Sequence, residues 1–217
     1  MTEAFRLETP KGDVSAAWHD GGARASALVV AHGAGAGMDH PFIKGFCEEL
    51  ATAGVSALRF NFAYLEAGRK SPGSPKDATV AVVAAVEAAT TRTGGRPVFA
   101  GGKSYGGRMA SMAAAEGMPA AGLVFLGYPL HAPGRSDQPR DEHLYGLEIP
   151  MLFLQGTKDP FADPDVLAGV LRRLGTRATY VPFDGAGHSF ERSRKDKPRD
   201  NAARLVPHVV DFVKAAS

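Results

Sequence analysis

The sequence predicts a doubly wound α/β sheet, and three observations carry that prediction. Short continuous apolar runs read as strands covered on both faces, segments of helical periodicity separate them, and 26 glycines and 15 prolines punctuate the two without gathering into a linker. Strands that alternate with helices in this rhythm are the mark of parallel pairing through crossovers.

The elements follow in order. Phe5 to Thr9 and Val14 to His19, either side of Pro10-Lys-Gly-Asp13, read as an antiparallel hairpin at a sheet edge. Ala27 to Ala31 is a continuous apolar run that ends in a glycine-rich loop. Pro41 opens a helix at its first position, Phe42, Ile43, Phe46, Cys47 and Leu50 recur at helical spacing, and Gly54 closes it. Val55 to Phe62 is the next strand. A helix from about Asp77 to Thr91, a strand Pro97 to Ala100, a helix Tyr105 to Glu116 and a strand Leu123 to Gly127 continue the alternation. A longer connection, Leu130 to Glu148, leads to the strand Met151 to Gln155. Asp163 and Pro164 form an N-cap and first-turn pair for a helix reaching Leu174. The strand Ala178 to Phe183 and a helix from about Arg199 to Lys214 complete eight strands, the first two a hairpin and the other six separated by helices. The expected architecture is a mostly parallel eight-stranded sheet with helices on both faces.

Composition bounds the rest. At about 150 residues per domain, 217 residues predict one domain over 1–217, and 44% apolar with 22% charged residues is the balance of a packed globular chain. A net charge of +2 leaves no electrostatic footprint for nucleic acid. The longest apolar run, Ala78 to Val86 with Thr79 inside it, falls far short of the roughly 20 residues that cross a bilayer. The N-terminus MTEAFRLETPKGD lacks the apolar core of a secretory signal, and the single cysteine, Cys47, suits a reducing compartment, so the expected location is the cytoplasm. The mixed run Glu191 to Asp200 reads as a solvated loop.

In open α/β sheets the chemistry collects at the carboxyl ends of strands. After Pro97 to Ala100 comes Gly102-Lys-Ser104-Tyr-Gly106, a G-x-S-x-G pattern between a strand and a helix. There the serine occupies a strained turn whose flanking glycines leave no room for side chains, and Ser104 is the expected nucleophile. A serine hydroxyl needs a base, and the base needs an acid to hold its tautomer. Among seven histidines, His188 lies in the flexible turn Gly185-Ala-Gly-His-Ser189 after the last strand. His19 ends an edge strand, and His208 lies inside the last helix. Asp159, in Gly156-Thr-Lys-Asp-Pro160, stands at a strand end; Asp163 is better used as a cap, and Asp184 is too close in sequence to His188. The loop Ala31-His-Gly-Ala-Gly-Ala-Gly37 is placed to supply an oxyanion N–H from Ala34, with Tyr105 supplying the other. His32 reads mainly as a shaper of that loop, and Lys103 as an elbow side chain directed away from the site. Tyr64, Tyr105, Tyr128, His131 and Phe161 are the expected pocket walls. The connection Leu130 to Glu148 is too short for a large lid, which predicts a minimal cap or none, an open site and a preference for short acyl groups.

These motifs together resemble a small serine α/β-hydrolase of the dienelactone-hydrolase or carboxylesterase type. The segments AHGAGAGMDHPF, RFNFAYLEAGR, GGKSYGGRMAS, GYPLHAPGR, QGTKDPF and GAGHSF are similar to a bacterial branch related to the hydrolase-like domain of a subunit of the non-specific-lethal chromatin acetyltransferase complex. The resemblance spans about Ala27 to Val213. Dienelactone hydrolase itself carries a cysteine nucleophile, whereas this position is Ser104, which moves the expectation toward ordinary ester hydrolysis of a small-molecule substrate. A binding or scaffold protein that keeps the fold without turnover, and an acyltransferase using the same residues, are the alternatives. No cofactor is expected. Gly33-Ala-Gly35-Ala-Gly37 misses the dinucleotide pattern by one position, and neither a phosphate-loop pattern nor a zinc-ligand spacing occurs.

Overall fold

The computed structural model describes every residue from Met1 to Ser217. Eight strands form one sheet: β1 (Thr2–Leu7), β2 (Val14–His19), β3 (Ala27–Ala31), β4 (Ser56–Phe60), β5 (Val98–Lys103), β6 (Leu123–Leu126), β7 (Met151–Gly156) and β8 (Ala178–Phe183). Their order is β1-β2-β4-β3-β5-β6-β7-β8, antiparallel through β1, β2 and β4 and parallel from β4 to β8. The helices are α1 (Pro41–Thr52), α2 (Ala63–Glu66), α3 (Pro75–Thr93), α4 (Tyr105–Ala115), α5 (Pro164–Leu174), α6 (Pro198–Ala203) and α7 (Val206–Ala215). From β3 the chain crosses to β4 on one side and then, through α3, back to β5 on the other. That reversal opens a crevice between the ends of β3 and β5, where such sheets hold their ligands.

Period-two alternation divides the central strands between two cores. Ala27, Val29 and Ala31 of β3, with Met151 and Phe153 of β7, face α3, α4 and α5, whereas Leu28, Val30, Leu152 and Leu154 face α1, α6 and α7. Both faces of β3 and β7 are therefore buried, which is why these strands read as unbroken apolar runs. Cys47 lies in the second core, on the buried side of α1, as a free thiol. No helix is long and apolar enough to cross a membrane.

The element boundaries follow local chemistry. His40 caps α1 through a hydrogen bond from the Phe42 amide, and Pro41 takes the first position, where a missing N–H costs nothing. Asp163 accepts from the amides of Asp165 and Val166, the capping role read from the sequence. Three expectations need correction. The last helix is two, α6 and α7, because Pro207 can neither donate to a preceding carbonyl nor continue the turn. The strand expected to end at Ala100 runs on to Lys103, since its glycines pack against neighbouring backbone as strand residues. His19 does not end an edge strand: β1 covers β2, and the buried imidazole accepts from Arg59 Nε at 3.0 Å.

Phe153, fully buried beside Phe125 with ring centroids 4.7 Å apart, shows what the first core contributes. Phe153→Ala is expected to lower unfolding free energy by about 3–5 kcal/mol, read as a fall in urea midpoint at unchanged slope.

Candidate active site

The end of β5 meets the start of α4 at Ser104, whose backbone has φ 51° and ψ −118°. Only one other non-glycine residue, Phe190, has a positive φ. Such a conformation costs about 1–3 kcal/mol and persists only where the surroundings enforce it. Here the enforcement is steric. A Cβ on Gly102 or on Gly106 would overlap the carbonyl oxygen of Ala31 at the end of β3, so the elbow is pressed against that strand. The turn lifts the Ser104 hydroxyl above the sheet and leaves the first amides of α4 without intrahelical acceptors.

His188 Nε2 lies 2.8 Å from Ser104 Oγ, and His188 Nδ1 lies 2.7 Å from Asp159 Oδ2. With Nδ1–H donated to the carboxylate, Nε2 is the lone-pair nitrogen that accepts the serine proton. Asp159 has no solvent-accessible side-chain surface. Its Oδ1 accepts from the Phe161 amide at 2.8 Å, and its Oδ2 also accepts from Gln155 Nε2. Gln155 is in turn fixed by the Tyr128 amide, 2.8 Å from its Oε1. The loops carrying acid and base are stitched together by Lys158 N to Ala186 O at 2.9 Å and Gly185 N to Thr157 Oγ1 at 2.9 Å. Phe190, buried in the second core against Phe42 and Phe183, anchors the histidine turn from below.

The loop 32–40 is shaped from beneath by side chains of the β4 end and its continuation. His32 Nε2 accepts from the Phe62 amide at 3.2 Å, and Nδ1 bonds the Gly33 carbonyl at 2.7 Å, so both ring nitrogens serve the backbone. Burial holds the ring neutral, its pKa drawn down to about 4. Asn61 accepts from the Met38 amide at 2.8 Å, and Arg59 donates to the Met38 carbonyl at 2.9 Å and to Asp39. Ala34 stands exposed at the top with its N–H unpaired within the chain, lining the same cavity as Ser104.

That cavity holds about 310 Å³ and is bounded by Ala34, His40, Phe42, Lys103, Phe161 and His188 among others. The Phe161 ring stands against the imidazole, centroids 4.4 Å apart. Of the five expected walls, Phe161 is brought to the site and the other four are not. Tyr128 is buried in the first core, its hydroxyl donating to the Arg140 carbonyl. His131 is buried with Nε2 accepting the Asp163 amide at 2.7 Å and Nδ1 on the Ala132 carbonyl, so it braces the start of α5. Tyr64 receives the Gly35 N–H at 2.9 Å and, with the Tyr105 ring, lines a separate cavity on the far side of the loop.

Lys103 was expected to point away and instead lines the serine's cavity. It shares with Phe99 the face of β5 directed at α1 and α7, and burial pulls its pKa down to about 8 against the opposing field of Asp159 and Glu191. Gln155 is the other residue the sequence reading missed. Its signal was present: a lone polar side chain closing an apolar strand four residues before the acid. The connection 127–150 packs Leu130, Leu144 and Leu147 into the first core and leaves the serine's cavity uncapped from that side.

A family model described as an alpha/beta hydrolase domain matches residues 24–214. Solved structures share the fold at low identity. A serine hydrolase homologue from Coxiella burnetii is 17% identical, aligned over 97% of this chain and 96% of that one with a TM-score of 0.74. A Xanthomonas campestris protein described as an α/β serine hydrolase without lid is 20% identical over 97% and 94%, TM-score 0.74. A dienelactone hydrolase from Anabaena variabilis is 20% identical over 99% and 97%, TM-score 0.74.

The buried neutral His32 makes an acid-dependent contribution to stability. Its folded pKa of about 4 lies below the ordinary imidazole value of about 6.5, so on acidification the unfolded chain takes the proton first. Stability is expected to fall as pH drops from about 6.5 toward 4, by up to about 1.4 kcal/mol per pH unit from this residue. Urea midpoints between about pH 7 and pH 5 read the fall, and the His32 Cε1 proton resonance should hold its neutral position to below about pH 5.

Proposed function

The chain belongs to the alpha/beta hydrolase domain family, and from that membership we propose that it is a serine hydrolase cleaving an ester bond of a small substrate. The observation that carries the reading is the unbroken hydrogen-bond relay from Asp159 through His188 to Ser104 at the switch point of the sheet. Ser104 Oγ attacks the carbonyl carbon as His188 Nε2 removes its proton. The tetrahedral oxyanion is received by the N–H groups of Ala34 and Tyr105, and a donor of this kind lowers such a barrier by about 2.7–4 kcal/mol. Asp159, already desolvated and held by Gln155 and the Phe161 amide, stabilises the imidazolium without taking the proton. His188 then delivers that proton to the departing alkoxide. Water, activated by the same imidazole, releases the acyl group and restores Ser104.

The segments similar to the hydrolase-like domain of the chromatin-complex subunit keep a scaffold reading in view. Against it stands the geometry of an oriented base: a pure scaffold has no need of a serine held at φ 51° with its hydroxyl on an imidazole. Acyl transfer to an alcohol would use the same steps with a different acceptor. It would appear as ester products when methanol or ethanol is added during turnover.

Two outcomes test the proposal. A fluorophosphonate probe is expected to label the wild-type protein and not Ser104→Ala, and turnover of nitrophenyl butyrate should fall about 10⁴-fold or more in that variant. Equal labelling of both proteins would sink the assignment. The cavity of about 310 Å³ lies at the small end for ligand sites, so kcat/KM should be higher for a C4 than for a C12 nitrophenyl ester. A higher value for C12 would show that the acyl chain lies elsewhere.

A further inference from the structure

Lys103 is the one charged side chain in the serine's cavity that nothing in the proposed reaction uses. It is 8% exposed, yet its ammonium forms no ion pair and no hydrogen bond within the chain. Arg108 Nε is the only fully buried side-chain nitrogen or oxygen without a partner, so the Lys103 ammonium keeps some accessible surface, and a cation so placed is open to a counter-charge that arrives from outside. The carboxylates nearest to it are engaged elsewhere. Asp159 is held by His188, Gln155 and the Phe161 amide, and Glu191 accepts from the Ser189 amide at 2.8 Å. Both still favour the charged amine, and with a pKa of about 8 it is cationic at neutral pH.

The surroundings extend the same field. The first turn of α1 contributes Phe42 and Ile43 to the cavity wall, and it carries no acidic residue. The positive end of that helix therefore faces the space Lys103 faces, adding a preference for negative charge. The lysine stem passes over Gly33, where a Cβ would lie 3.7 Å from its Cγ and 3.8 Å from the Ser104 Cβ. Its Nζ and His188 Nδ1 lie 3.4 and 3.6 Å from the point a Cβ on Gly127 would occupy. Lys103, Ser104 and His188 line one cavity, and the ammonium lies near the imidazole at the end of β6.

Resting on the serine-hydrolase reading, we propose that Lys103 is a specificity residue that selects esters carrying a carboxylate a few bonds from the scissile carbonyl, such as half-esters of short dicarboxylic acids. Two matched pairs test this and separate the side on which the charge lies. On the acyl side, mono-4-nitrophenyl glutarate is compared with 4-nitrophenyl pentanoate, each corrected for spontaneous hydrolysis. On the alcohol side, carboxymethyl butyrate is compared with propyl butyrate by proton release. Wild-type protein is expected to favour the anionic member of at least one pair by about tenfold in kcat/KM, and Lys103→Met to bring that ratio to about one. A wild-type ratio at or below one in both pairs overturns the proposal, and this arm needs no variant to fold. So does a Lys103→Met that folds, by its urea midpoint, and loses both members of each pair equally, which would make Lys103 a positioning residue behind His188. Absence of any Ser104-dependent turnover or fluorophosphonate labelling would instead strike the serine-hydrolase reading itself.

Discussion

The carbonyl oxygen of Ala31 occupies the space that side chains at both Gly102 and Gly106 would need, and the site is assembled around that close approach. Because β5 and α4 press against the end of β3, Ser104 is forced into a backbone conformation that non-glycine residues rarely adopt. The same contact brings the loop after β3 alongside the elbow. Ala34 and the first amide of α4 thereby border one cavity although they are some seventy residues apart in sequence. A shift of either strand would separate the serine from the amides that are to receive its oxyanion. The packing of two sheet faces, with β3 and β7 buried on both, is what makes such a shift expensive.

The second half of the site relies on covalent neighbours less and on backbone stitching more. Asp159 and His188 ride on loops after β7 and β8, and the parallel pairing of those strands keeps the loop bases side by side. Gly156 sits where a side chain would strike the Ala186 and Gly187 carbonyls, so the two loops approach as closely as backbone allows. Phe190 has the other strained backbone in the chain, and its ring is fully buried. Burying a phenylalanine is worth about 1.5–3 kcal/mol, comparable to the strain at that position, so the turn is pinned at little net cost. Charge placement then follows from geometry: a desolvated carboxylate faces one side of the imidazole and a hydroxyl the other.

Much of this was legible because it depends on residue type at fixed spacing. Strand runs buried on both faces, the Asp163-Pro164 cap, the elbow glycines and the order of serine, acid and base are all local signals, and the side chains of Ser104, His188 and Asp159 lie each within hydrogen-bond distance of the next. What was not legible depends on direction. Tyr128 and His131 stand near the right strand end in sequence, but which way each side chain turns is decided by the packing of the connection 127–150 into the first core. Lys103 was lost for a more instructive reason. Ending β5 at Ala100 discarded the alternation that, carried through Gly101, puts Lys103 on the same face as Phe99 and hence toward α1. Pro207 is a helix breaker in plain sight, and it divides the segment into α6 and α7.

Cys47 gives the second core a property distinct from its role in packing. Its thiol is enclosed between α1 and the sheet, and burial pushes its pKa up to about 12, so the reactive thiolate is essentially absent in the native state. Alkylation at neutral pH must therefore wait for the α1 side of the molecule to open. With no second cysteine to trap or exchange with it, this one sulfur keeps time on the opening of the layer that carries the wall of the serine's cavity.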